Sequence, residues 1–131
     1  MVKKDPSPAK LRELVMQALY QKEMSGSSNT DLIKQFKQNY KNLNLKDFET
    51  YLKEIKQNIL EIDSIIDKHT NINIDQISKI ELAILKQAIY EMKNSNLDKP
   101  IIISEAIRLA KRFGQDSSHK FVNALLDKAA N

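Results

Sequence analysis

The amino-acid sequence predicts an all-α protein, built as two small helical bundles that pack into one globular domain. Its 131 residues include two glycines, three prolines and no tryptophan, and this composition favours helices over sheets. Apolar residues recur three and four positions apart, as they do in amphipathic helices. The periodicity lapses in an Asn-rich stretch, so we predict an N-terminal subdomain at residues 1–72 and a C-terminal subdomain at residues 73–131.

Three helices are predicted in the N-terminal subdomain. The first begins at Ser7 and Pro8, an N-cap hydroxyl followed by a proline at the first helical position, and ends at the turn of residues 25–28. A shorter helix is predicted at residues 31–40 and a long one at residues 47–68. The inward-facing positions are Leu11, Leu14, Val15, Ala18 and Leu19, then Leu32, Phe36 and Tyr40, then Phe48, Tyr51, Leu52, Ile55, Ile59, Ile62 and Ile66.

The central helix of the fold is predicted to open the C-terminal subdomain. Ser78 and Glu81 have the spacing of a capping box, in which each side chain bonds to a backbone N–H at the other position. The helix that follows, to about residue 94, carries apolar side chains around much of its circumference. A helix of that kind belongs in the middle of a bundle.

Two further helices complete the prediction. After residues 99–100 a helix from about Ile103 continues until Gly114 stops it, and Asp116 or Ser117 caps the last helix. Each of these helices has one apolar face, which we expect to be buried. The inward-facing positions are Ile103, Ala106, Ile107 and Ala110 in one, and Phe121, Val122, Leu125, Leu126 and Ala129 in the other.

The formal net charge is +4, and its distribution is uneven. Residues 1–24 carry five basic and three acidic side chains, residues 25–98 carry ten and eleven, and residues 99–131 carry six and three. If the fold brings the two ends together, they form one basic face that attracts a phosphate backbone. The alternative is that Lys-rich helices are simply solvated.

Several classes of function are disfavoured by the sequence. There is no cysteine, so the chain has no disulfide or thiolate chemistry. No apolar run approaches the roughly 20 residues that span a bilayer, and the N-terminus lacks a signal-peptide core, so we expect a cytoplasmic protein. We find no Gly-rich phosphate loop, no nucleophile with a base and no metal-ligand spacing around the two histidines, so we expect no enzyme activity, no cofactor and no metal.

Four segments carry a resemblance to a known family. They are Gln17-Ala18-Leu19-Tyr20, residues 74–92 with Glu, Ala-Ile-Leu and Tyr-Glu in register, residues 103–114, and Ser118-His119-Lys120-Phe121-Val122-Asn123 with Leu126-Asp127. In order and spacing they resemble the NusB family of transcription antitermination factors. The match runs from near residue 10 to residue 131 and is thinnest between residues 26 and 71.

The resemblance implies a function without catalysis. NusB proteins bind the boxA element of nascent ribosomal RNA transcripts together with NusE, a small-subunit ribosomal protein, inside an RNA polymerase complex with other Nus factors. We therefore expect single-stranded boxA RNA and NusE as direct partners, no membrane association, and an oligomeric state left open between monomer and homodimer. A helical protein-protein scaffold without direct RNA binding is the alternative. The same domain begins some ribosomal RNA cytosine methyltransferases, an activity excluded here unless the sequence is a fragment.

The RNA-binding surface implied by the resemblance falls on both ends of the chain. The arginine-rich arm of the family is thinned here to lysines, which are point charges instead of planar forks. Tyr20 either packs inward or stacks on a base, and Phe113 is either a helix-end contact or a base platform. The implied RNA-binding residues are Lys3, Lys4, Lys10, Arg12, Tyr20, Lys111, Arg112, Phe113 and Lys120.

The NusE-binding surface implied by the resemblance lies at the starts of the central and last helices. Glu81 is expected both to complete the capping box and to contact NusE, and it can do both only if part of its carboxylate remains free. Ser117 stands where many relatives carry a carboxylate, so one charged contact is missing. The implied NusE-binding residues are His69, Asp75, Glu81, Ser117 and Phe121.

Overall fold

The computed structural model describes residues 2–131, and they form seven α-helices. Within this range no helix is long and apolar enough to cross a bilayer. A single 3₁₀ turn, Ile74–Gln76, precedes the central helix. The helices are α1 Pro8–Ser25, α2 Asn29–Asn39, α3 Lys46–Gln57, α4 Ile59–His69, α5 Lys79–Asn94, α6 Lys99–Phe113 and α7 Ser118–Ala130.

Helix α1 begins and ends as its sequence predicts. The Ser7 hydroxyl accepts a hydrogen bond from the Lys10 N–H at 3.1 Å, and Pro8 occupies the first turn. Gly26 closes the helix in the left-handed region with φ of +71°, and its N–H donates to the Lys22 carbonyl. A glycine takes this backbone conformation at little cost. Both helix-end signals are therefore confirmed.

The prediction of one long helix over residues 47–68 is wrong, because the chain breaks at Asn58 into α3 and α4. The Asn58 side-chain amide donates to the Glu54 carbonyl at 2.7 Å, and the Asn58 backbone lies at φ −105° and ψ 13°. The Asn58 N–H also donates to the Glu54 carbonyl, at 3.0 Å, so the side chain and the backbone of this asparagine share one acceptor where the helix breaks. The apolar periodicity continues through the break, although Ile59 is only half-buried.

Helix α5 occupies the centre of the fold. Every residue from 82 to 91 is buried, and α1, α3, α4, α6 and α7 all pack against this helix. The buried apolar residues of both halves of the chain form one continuous core. The all-α prediction and the central position of α5 are confirmed, while the division at residue 72 stays a prediction.

The turn between α6 and α7 depends on Gly114, although not on a left-handed backbone. Its φ is −91°, but a Cβ at this position would lie 2.6 Å from the Ser118 Cβ and 2.7 Å from the Ala110 carbonyl oxygen. The turn is therefore too crowded for a side chain. Helix α6 also begins earlier than predicted, at Lys99, because its proline fits the first turn of a helix.

Candidate nucleic-acid interface

The basic N-terminal arm is attached to the loop between α2 and α3. The Lys4 N–H donates to the Asn42 carbonyl at 3.0 Å, and the Asn44 N–H donates to the Lys4 carbonyl at 2.7 Å. The Asn44 side chain also donates to Asp5 Oδ1 at 3.0 Å. Backbone bonding therefore holds the arm in place, while the side chains of Lys3 and Lys4 remain exposed.

Lys10 lies on the same side of α1 as this loop. Its ammonium is 5.4 Å from the centroid of the Tyr40 ring, within the range of a cation–π contact. The ring of Tyr40 in turn packs on Phe36 of α2. Lys10 is thus a cation held beside an aromatic ring and has no carboxylate partner among residues 2–131.

Two arginine side chains of α6 reach α1. Arg108 Nη2 donates to the Ala9 carbonyl at 3.4 Å, and Arg112 Nη1 donates to Glu13 Oε2 at 2.9 Å. The guanidinium carbon of Arg112 also lies 4.9 Å from the centroid of the Phe113 ring. The arginines in the second half of α6 therefore border α1, and Lys10 of α1 lies beside Tyr40, where the loop that holds the N-terminal arm begins.

Two surface grooves meet at Tyr20 and Met24 of α1. One groove is bounded across from them by Phe36 and Tyr40 of α2, and the other by Phe113 and Gly114 at the end of α6. Tyr20 is half-buried and packs on the core while one side contributes to both grooves. A single aromatic residue therefore joins the face near the N-terminal arm to the face near the α6–α7 turn.

The prediction that Arg12 contacts RNA directly is wrong, because the residue is buried. Its side chain is only 9% exposed, and its Nε and Nη2 donate to the Glu91 carboxylate at 2.9–3.1 Å. Nη1 donates to Glu105 Oε1 at 3.2 Å. Burial alone would lower the pKa of Arg12, but the hydrogen bonds and charge of Glu91 outweigh it and raise the pKa. The guanidinium therefore links α1 to α5 and α6 and does not face solvent.

Four of the remaining predicted RNA-binding residues surround the α6–α7 turn. Lys111 and Lys120 are exposed, and within residues 2–131 neither makes an ion pair. Arg112 is also exposed but shares its charge with Glu13. Phe113 is half-buried against the core, so it serves as a helix-end contact and as a groove wall at once.

The second predicted surface centres on a hydrogen bond between the starts of α5 and α7. The Ser78 hydroxyl caps α5 by accepting from the Glu81 N–H at 3.2 Å. The Glu81 carboxylate does not complete the capping box and instead accepts from the Ser118 hydroxyl at 2.6 Å. Ser118 Oγ also accepts from the Gln115 N–H at 2.9 Å. The reciprocal capping box is therefore wrong, because Ser118 uses the carboxylate that would have completed it.

The other residues predicted for this second surface lie around the same region. His69 ends α4 and is half-buried, Asp75 lies exposed in the 3₁₀ turn, and Ser117 is exposed just before α7. Ser117 makes no side-chain cap, so neither proposed cap of α7 forms there. Phe121 is half-buried and packs on the core, with part of its ring left at the surface.

Comparison with known proteins identifies the family. The family model described as the NusB family matches residues 9–131, which is nearly the whole chain. The chain belongs to the NusB family. Curated relatives named transcription antitermination protein NusB include one from Colwellia psychrerythraea, 37% identical over 94% of this chain and 92% of the relative. Another, from Tolumonas auensis, is 35% identical over 91% and 88%.

Solved structures agree with the family assignment. A NusB from T. maritima superposes with a TM-score of 0.86 at 29% identity, covering 96% of this chain and 92% of that one. A structure described as antitermination factors NusB and NusE in complex with dsRNA superposes with a TM-score of 0.78 at 26% identity, covering 93% and 94%. The fold of this NusB family member is therefore shared over almost its entire length.

Several residues of this family member escaped the sequence analysis. Glu91 and Glu105 fix Arg12, and they lie 79 and 93 positions away in the sequence. Tyr40 was assigned to the core, but its ring also contacts Lys10 and lines a groove. No local pattern marks such partners. Gln17 is different, because its position one turn before Tyr20 on α1 already indicates a shared face.

Proposed function

We propose that this protein is a transcription antitermination factor that binds boxA RNA of nascent ribosomal transcripts together with NusE, in the cytoplasm. Family membership supports this, as does the structural relative described in complex with NusE and dsRNA. The observation that carries the proposal is the surface of α1, where cations from both ends of the chain border two aromatic grooves. The protein acts by binding and performs no catalysis.

The proposed contacts divide between phosphates and bases. Lysines neutralise phosphates, and aromatic faces stack on the splayed bases of a single strand. Tyr20 is the central platform because it belongs to both grooves. Arg12 contributes as a positioning residue that holds α1 against α5 and α6. The proposed phosphate contacts are Lys3, Lys4, Lys10, Lys111, Arg112 and Lys120, and the proposed base contacts are Tyr20, Tyr40 and Phe113.

NusE is proposed to bind at the starts of α5 and α7. Glu81 supplies a carboxylate there, and the half-buried Phe121 supplies an aromatic edge of the kind that concentrates interface energy. His69, Asp75 and Ser117 complete this surface. It adjoins the RNA grooves directly, since Ser78, Lys79 and Ile80 at the start of α5 line the same groove as Phe113. Other Nus factors and RNA polymerase are reached through this complex.

The proposal is tested by fluorescence anisotropy of labelled single-stranded boxA RNA, with and without NusE, over a salt series. The affinity is expected to fall with salt at a log-log slope of about −0.7 for each phosphate contact. A matched double-stranded boxA probe is titrated in parallel, and the proposal predicts that it binds more weakly. A competitor of scrambled sequence reports how much of the affinity is specific.

Two triple variants that remove the same charge from different places test whether the RNA binds at the proposed surface. Lys10→Gln, Lys111→Gln and Lys120→Gln together are expected to reduce the slope by about 2. Lys34→Gln, Lys53→Gln and Lys68→Gln remove the same charge from exposed positions outside both grooves and are expected to change it little. Equal effects from the two triples would show that the RNA does not use this surface in particular, and a complex indifferent to salt would favour the protein-protein scaffold.

A further inference from the structure

A partly enclosed cavity of about 420 Å³ lies between the end of α1, α3, the start of α4 and α5. Its floor is apolar and consists of Leu19, Leu52, Ile55 and Ile59. Three of these side chains belong to the core, while Ile59 sits half-buried immediately after the break at Asn58. The volume falls within the range of pockets that receive a ligand or a large side chain.

Three lysines surround this apolar floor, and their charge is incompletely balanced. Lys86 pairs with Glu23, which also lines the cavity, at 2.6 Å and lies 4.0 Å from Asp63, whereas Lys22 donates only to the neutral Asn29 side chain at 2.8 Å. Lys56 is exposed and makes no ion pair within residues 2–131. Burial lowers the pKa of Lys22, and the nearby charges of Lys56 and Lys86 lower it further. An anion placed at this rim relieves that repulsion.

The cavity is separate from the proposed RNA surface. Lys22 lies two positions after Tyr20 on α1, which rotates it by about 200° around the helix axis. No residue of the two grooves that meet at Tyr20 also lines the cavity. Binding at the cavity and binding of RNA to the grooves are therefore measurable one without the other.

The combination of an apolar floor and a basic rim favours a segment of a protein as the occupant of the cavity. The apolar floor offers nothing to a phosphate backbone, which excludes nucleic acid as the occupant that buries there. Leu60 follows Ile59 and is 84% exposed, so apolar surface continues beyond the cavity itself. We propose that this cavity docks an acidic segment of a protein partner, with one large apolar side chain on the floor and flanking carboxylates on Lys22 and Lys56.

The test uses isotope-labelled full-length protein and synthetic peptides, followed by NMR chemical-shift titration to millimolar concentration. Four peptides carry a central Leu, Met, Phe or Trp flanked on both sides by Glu and Asp. At least one is expected to give saturable shifts at the cavity residues. Replacing its central residue by Ala, or its acidic residues by Gln and Asn, is expected to weaken binding about tenfold or more. Absence of saturable shifts for all four overturns the proposal.

Variants of the protein separate this site from general attraction to a basic surface. Lys22→Gln with Lys56→Gln is expected to weaken the best peptide about tenfold, at roughly threefold per lysine. Lys34→Gln with Lys68→Gln removes the same charge elsewhere and is expected to leave peptide binding within a factor of two. Equal losses from the two pairs overturn the proposal. The boxA affinity of the Lys22 and Lys56 variant reports independently on the RNA surface and is expected to stay near that of the unaltered protein.

Discussion

Arg12 and the lysines of the N-terminal arm lie fewer than ten residues apart, yet the structure uses their charges in opposite ways. Arg12 is buried and joined to Glu91 and Glu105, whereas Lys3 and Lys4 extend into solvent from a backbone that is itself held. The first charge stabilises the packing of three helices. The other two remain available to a partner. Counting basic residues therefore overstates a binding surface when one of them is internal.

The largest loss of stability is expected when the buried charge of Arg12 is removed. Arg12→Ala leaves Glu91, whose side chain is 1% exposed, without its cation, and we expect a loss of about 3–5 kcal/mol in the free energy of unfolding. Urea denaturation followed by circular dichroism measures it. Arg12→Met combined with Glu91→Leu removes both charges and is expected to recover much of the loss. A loss below about 1 kcal/mol for Arg12→Ala contradicts the role assigned to the buried pair.

A smaller loss of stability is expected at alkaline pH, when Tyr51 beside Glu91 ionises. Burial, with the neighbouring charge of Glu91, raises the pKa of Tyr51 to about 12 from 10 in the unfolded chain. A raised pKa in the folded state gives stability that is complete below pH 10 and is lost as pH rises towards 12. After allowance for solvent screening at this half-buried site, we expect a loss of about 1–2 kcal/mol.

Tyr51→Phe provides the control for this pH dependence. The variant is expected to lose less stability than the unaltered protein between pH 10 and pH 12, measured by urea midpoints at each pH. Tyr90 also has a raised pKa, because of burial and its hydrogen bond to Glu54, so part of the dependence remains. Parallel curves for the two proteins would show that Tyr51 ionises at its ordinary pKa.

Arg112 is expected to lie between the two extremes of the comparison. The Arg112 side chain is 57% exposed but that of its partner Glu13 only 10%, so Arg112→Ala is expected to cost about 1 kcal/mol of stability, near the upper end for a partly exposed pair. The same change is expected to weaken boxA binding several-fold, since it removes a cation beside Phe113. Arg112→Lys keeps the charge and serves as the control. A stability loss as large as that of Arg12→Ala would show that Arg112, like Arg12, mainly stabilises the packing of the helices.

The smallest effect on folding is expected at the arm. Lys3→Gln with Lys4→Gln leaves the urea midpoint unchanged, because the bonds to Asn42 and Asn44 use the backbone only. The salt dependence of boxA binding is expected to fall by about 1.4 in slope, or 0.7 for each phosphate contact. Lys53→Gln with Lys68→Gln is the charge-matched control. An unchanged slope would remove the arm from the RNA surface.

The predictable parts of this molecule are those with local causes. Ser7, Pro8 and Gly26 set the ends of α1 through bonds within a few residues, and the sequence shows them directly. Helix α5 was predicted at the centre because its apolar residues surround it. The break at Asn58 was missed because the apolar period of the isoleucines runs through it and one asparagine is a weak local signal.

The candidate site was less predictable because its geometry depends on distant partners. Nothing near Arg12 in the sequence distinguishes it from Lys10, and the carboxylates that bury it belong to α5 and α6. Likewise, Glu81 has the spacing of a capping residue, but Ser118 of α7 competes for its carboxylate. Helix ends can be predicted from a few residues, whereas the direction of a charged side chain requires the tertiary structure.

The hydrogen bond from Ser118 to Glu81 also connects the start of α5 to the turn between α6 and α7. A partner that takes the Glu81 oxygen competes with the Ser118 hydroxyl, which is held at the same time by the Gln115 N–H. Gln115 lines the groove that contains Tyr20 and Phe113. Glu81, Ser118 and Gln115 thus form one continuous chain of hydrogen bonds that runs from the start of α5 to the wall of this groove.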